Sequence, residues 1–228
     1  HHYRRYLFYA FGFFILFTLI GFISSYYDKE FLRIILCDEY VNKTIKNIES
    51  GNAVGVYQQG SDWGSTIAIT SNNLQVGAKL FIYGIAGGLG TLYVLLQNCI
   101  MLGSFQYFFH EHGALKESAK GIWMHGVFEI FSMVVEAMAG LILGASLLFP
   151  KTYSRFNSFK LGFKDAFKIF LSTVPFTIMA GIIEGYFTRY ALQMPGFLNA
   201  FLIFGTLSFI AFYYFVYPYF VSKKHHEI

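Results

Sequence analysis

IWMHGVFEIFSMVVEAMAGLILGASLLF, residues 122–149, contains no Pro, Lys or Arg. At a rise of about 1.5 Å per residue, a helix of this length exceeds the ~30 Å hydrocarbon core of a bilayer. The stretch reads as a membrane-spanning helix. It nevertheless carries His125, Glu129 and Glu136. At ~100° per residue these fall with Ser132 and Gly140 on one narrow stripe, opposite a face of Phe, Met, Val and Leu. Ionisable groups inside a span are costly in lipid. They turn to the bundle interior or to a water-filled cavity, so each marks a candidate functional site. The competing reading is a packing seam in which both carboxyls are protonated.

Composition agrees with the stretch. Of 228 residues, 55% are hydrophobic, 21% aromatic and only 13% charged, against roughly 25% charged in a soluble domain. The chain is therefore an all-α, polytopic transmembrane bundle. A formal net charge of +4 does not indicate a nucleic-acid partner. Cys37 and Cys99 are too far apart and too unlike in setting to indicate a disulfide framework. The chain begins at His1 and reads as the C-terminal part of a longer protein. Tyr6 to Ser24 is too long for a signal-peptide core and lacks a small-residue cleavage site.

Outward from the central stretch, Tyr6 to Ser24 forms a first span with aromatic residues near its ends, as the headgroup region favours. Asp28 to Ser50 is amphipathic and reads as one or two short helices on the membrane surface. Gly51 to Asn73 is polar and reads as a loop. Residues 28–73 thus form an extramembrane insertion in a single membrane domain over 1–228. Leu74 to Phe109 is long for one straight span and short for two. Its middle holds Gly84, Gly87, Gly88 and Gly90, which permit a kink, a break or a re-entrant turn. Ala166 to Phe187, interrupted by Pro175, and Phe197 to Phe220 complete about five full spans plus the broken segment.

Charge bears on sidedness. Arg4, Arg5 and the basic stretch Lys151 to Lys168 all favour the cytoplasm. They share a side only if Leu74 to Phe109 returns to its own side as a re-entrant pair or helical hairpin. A single crossing there would put the N-terminus outside. The glycine cluster favours the hairpin.

His125 and Glu129, at i and i+4, lie within reach on one helix face. They are weak candidates for a metal site that other helices would have to complete, from Glu184, Asn98, His110, Glu111 or His112. His110-Glu111-His112 is not the HExxH spacing of a zincin. There is no nucleophile elbow, no Walker A loop and no dinucleotide fingerprint, so neither an enzyme nor a cofactor is expected. The pairs Gly84/Gly88, Gly140/Gly144 and Gly181/Gly185 let helices approach closely, within the chain or between copies.

Three blocks carry a resemblance. The first runs from Asn72-Asn73 through Gly84, Gly88 and Gly90 to Gln97-Asn98 and Gly103. The second is His125-Gly126-Val-Phe-Glu129, continuing to Gly140 and Gly144. The third is Ile182-Ile183-Glu184-Gly185-Tyr186-Phe187-Thr188-Arg189. Together they resemble the stage II sporulation protein M family of bacterial membrane proteins, and Asp38 to Thr44 is similar to the version found in Bacteroidetes-type bacteria. Asn98-Cys99 departs from the family's Asn-Gly, and Glu136 stands where a small or apolar residue is expected. The resemblance implies a multi-pass protein of the bacterial inner membrane, a non-enzymatic scaffold or subunit of a membrane assembly linked to cell-envelope remodelling. Its partners would be the lipid bilayer, other membrane or envelope proteins, or further copies of itself. The alternative is a transporter or channel-like protein. In it, His125, Glu129, Glu136 and Glu184 line a polar intramembrane path, with Asn98 and Arg189 completing the polar set.

Overall fold

Backbone polar groups cannot be left unpaired in hydrocarbon, and a helix pairs them internally, so long apolar runs fold as helices. A computed structural model describes residues 3–52, 55, 62–217 and 220, and leaves the side chains of Asp62, Arg189 and Phe215 undescribed. Among the described residues there are eight α-helices and no strand. They are α1 Arg4–Tyr27, α2 Lys29–Leu36, α3 Asp38–Glu49, α4 Asp62–Ile82, α5 Leu89–Glu111, α6 Leu115–Leu148, α7 Arg155–Ile182 and α8 Gly196–Ala211. Five are long and apolar enough to cross a membrane: α1, α5, α6, α7 with its extension to Phe187, and α8 with its extension to Tyr214.

The glycine-rich segment is broken. After α4, one 3-10 turn covers Tyr83–Ile85, and Gly87 and Gly88 take φ of +66° and +85°. That left-handed region is open to glycine and strained for other residues. Gly84 and Gly88 stand against Gly140 and Gly144 of α6, with no room for a Cβ on Gly84, Gly140 or Gly144. The result is a helical hairpin folded on α6. Thr91, early in α5, donates to the Leu80 carbonyl of α4 at 2.8 Å and ties its two arms.

The hairpin returns the chain to its own end of the bundle. The Tyr3 hydroxyl donates to Asp165 Oδ2 at 2.7 Å, so the start of α1 lies beside the early part of α7, and Arg4, Arg5 and Lys151 share one end of the bundle. Lys29, just past α1, pairs with Glu111 at the end of α5, at the opposite end. There Asp28 caps α2 by accepting from the Glu30 and Phe31 N–H groups.

Three segments differ in part from expectation. First, the short amphipathic helices expected over Asp28 to Ser50 form as α2 and α3, and both bury apolar residues on the end of the bundle. Leu32, Leu36 and Val41 are buried against Tyr107, Phe108 and Phe109 of α5. The expected loop is helical from Asp62 onward, because Thr66 and Thr70 pack onto Gly185 and Gly181 in the α7 region. Such packing overrides the weak helix propensity of a Gly-, Ser-, Thr- and Asn-rich sequence. The rest of that loop, residues 53–54 and 56–61, lies outside the described residues. Third, α6 begins at Leu115 rather than Ile122, which leaves only a tight turn after α5.

Candidate functional site

The stripe of α6 faces α4 and α7. His125 is buried, with Nδ1 3.1 Å from the Thr188 hydroxyl and Nε2 3.9 Å from Glu184 Oε2. Glu184 belongs to a π-helical turn, Ile183–Phe187, that follows α7. Such turns insert an extra residue and frequently occur at functional sites. Here the turn brings both Glu184 and Thr188 onto α6. Glu129, one helical turn beyond His125, reaches the same point: the ligand-capable atoms of His125, Glu129 and Glu184 all lie within 4.8 Å of one another. Asn73 of α4 lines the same cavity as Glu129.

Glu136 makes a separate junction. Its Oε1 accepts from the hydroxyls of Thr173 at 2.9 Å and Thr177 at 3.3 Å, both on α7. Those hydroxyls also lie 2.7 Å from the Phe170 carbonyl and 3.3 Å from the Thr173 carbonyl. A threonine has one hydroxyl proton. The contact is therefore complete either with threonine donating to the carboxylate or with a protonated Glu136 donating to threonine. On its other side the carboxyl fills the space over Gly77 of α4, where an added Cβ would stand 2.5 Å from it.

Between the two junctions is a cavity of about 70 Å³, lined by Asn72, Asn98, Met101, Glu129, Ser132 and Glu136 among others. Asn72 and Met101 are exposed, so the cavity opens sideways on the flank between α4 and α5. Its volume suits about two waters. The Ser132 hydroxyl and the Asn73 amide nitrogen are buried without a hydrogen-bond partner. Asn98 donates to the Val94 carbonyl of its own helix at 2.8 Å.

His125, Glu129 and Glu184 are thus brought together, with Glu136 and Asn98 joined to them through the cavity. The Arg189 side chain lies outside the described ones. His110, Glu111 and His112 are not part of the site: Glu111 pairs with Lys29, His112 sits 2.8 Å from the Phe108 carbonyl, and His110 is exposed. Each of the six paired glycines marks a contact within the chain, Gly84 with Gly140, Gly88 with Gly144, Gly181 with Thr70 and Gly185 with Thr66. Sequence reasoning missed Thr173, Thr177 and Thr188. Hydroxyls in spans commonly bond their own helix, so nothing in their spacing sets them apart. Gly77 also gave no signal, since its role exists only opposite Glu136.

The model of a family described as stage II sporulation protein M matches residues 10–189. That range runs from α1 to the end of the π-helical region and contains the whole site. No curated protein and no solved structure gives a match.

Proposed function

The chain belongs to the stage II sporulation protein M family, and from that premise we propose that it is a non-enzymatic scaffold or subunit of an assembly in the bacterial inner membrane. One observation supports this over transport. His125 and Glu136 are engaged between helices, and the cavity beside Glu129 and Ser132 is about 70 Å³, room for about two waters rather than a solute path. Glu136 joins α6 to α7 and His125 joins α6 to the π turn. Such links hold a rigid body on which partners can assemble.

A transporter reading keeps one specific support, the sideways opening of a cavity that holds Glu129 and Glu136. Purified protein in liposomes under an imposed pH or ion gradient separates the two. For a scaffold, proton and cation flux stays at the level of empty liposomes. Glu129→Gln, which keeps the shape of the acid, leaves membrane abundance and co-purifying envelope proteins unchanged. Gradient-driven flux that Glu129→Gln abolishes without loss of protein would overturn the scaffold reading.

A further inference from the structure

We propose that His125, Glu129 and Glu184 form a binding site for one divalent first-row metal ion of the zinc class, linking α6 to the π turn after α7. Three observations carry it. The first is convergence: an imidazole nitrogen and a carboxylate oxygen of α6 and a carboxylate oxygen of the π turn approach within 4.8 Å of one another. Zinc bonds to nitrogen and oxygen are about 2.0–2.2 Å, which places ligand atoms roughly 3.3 Å apart. The His125–Glu184 separation of 3.9 Å closes to that by small side-chain rotations.

The second observation is charge. Two carboxylates and a divalent cation sum to zero, and a neutral set is what a low-dielectric interior tolerates. Glu129 has no hydrogen-bond partner among the described residues, whereas Glu136 is held by two threonines. The third is independent of the ligand cluster. The Ser132 hydroxyl is 2% exposed, has no partner, and lines the same cavity as Glu129. A cavity water held between Ser132 and Glu129 would supply the fourth position. The donor set has no thiolate, and nitrogen with carboxylate oxygen suits zinc, manganese or iron rather than copper(I). The inference holds whether the protein is a scaffold or a transporter, because it concerns what links two helices.

The test uses the full chain in detergent or nanodiscs, stripped with chelator and re-equilibrated with zinc. The terminal pairs His1-His2 and His225-His226 are retained in every variant compared for zinc content, so their contribution subtracts. Wild type is expected to hold one zinc per chain more than the His125→Gln, Glu129→Gln, Glu184→Gln triple variant, with a raised melting temperature. Each single substitution lowers zinc affinity by more than about tenfold, the scale on which even outer-shell changes act. Glu39→Gln, on the exposed part of α3, leaves it unchanged. Equal zinc content in wild type and the triple variant overturns the proposal, as does an equal loss in Glu39→Gln. Should the triple variant fail to fold, X-ray absorption at the zinc edge of the chain with only those four terminal histidines changed to alanine decides. One imidazole with oxygen neighbours supports the site. Two or more imidazoles overturn it, because this cluster supplies one.

Discussion

At Gly140 the chain has no spare volume. A Cβ there would run into the Leu80 carbonyl of α4 and the Thr91 hydroxyl of α5, so neither neighbour yields cheaply. Gly140→Ala is expected to destabilise by about 1–3 kcal/mol, as overpacking does. Gly126, on the same helix, has its nearest side-chain neighbour at 3.8 Å. Gly126→Ala is expected to be neutral or to stabilise by up to ~1 kcal/mol through helix propensity. Melting temperatures in detergent check the pair; equal losses would show that helix crossing is not what Gly140 serves. Glu136 is read the same way. Glu136→Gln keeps an oxygen for Thr173 and Thr177 and should shift stability little. Glu136→Ala empties the space over Gly77 and should cost about 2–4 kcal/mol, within the range for large-to-small core changes.

At the scale of elements, the hairpin turn and the α2–α3 cap make separable predictions. Gly88 sits at φ +85°, and a Cβ there costs about 1–2 kcal/mol in backbone strain alone. Gly88→Ala should therefore lower the melting temperature, whereas Gly12→Ala, with open space around it, should not. In the cap, burial pushes the Tyr40 hydroxyl up to about 12, against a smaller opposing effect of Thr44. The neutral phenol is the form the fold keeps. Unfolded tyrosine ionises near pH ~10, so stability is intact below that and falls as pH rises from about 10 towards 12. Melts across that window should show a steeper alkaline loss in wild type than in Tyr40→Phe. Identical slopes would mean Tyr40 does not hold α3 in place.

For the whole molecule, the hairpin brings two basic stretches far apart in the chain to one end. With α4 and α5 running there and back, Arg4, Arg5 and Lys151 lie at one end of the bundle, and the α2–α3 cap lies at the other. Lys and Arg near span ends favour the cytoplasm, so the cap should face away from it. Cys37, exposed between α2 and α3, is a native reporter, and Cys99 is buried. A membrane-impermeant maleimide should label Cys37 in intact spheroplasts. A cysteine placed at Lys151 should react only after permeabilisation. Labelling of both sites from the same side would remove the hairpin topology.

What the sequence determined by itself was the class and the address of the chemistry. Uncharged apolar runs longer than a bilayer is thick can only be helices in lipid, and helical spacing alone put His125, Glu129, Ser132 and Glu136 on one face. The glycines at 84–88 announced a break, because left-handed backbone and close crossings both call for a missing side chain. Tertiary structure decided the rest. Asp62 to Asn73 became helix only because Gly181 and Gly185 receive its threonines. Glu184 joined His125 only through the π turn after α7. Thr173, Thr177 and Gly77 acquired roles only opposite Glu136. Periodicity specifies which way a residue faces on its own helix. Which residue faces it from another helix depends on crossing position and local helix winding, and these are set by packing between segments far apart in the chain.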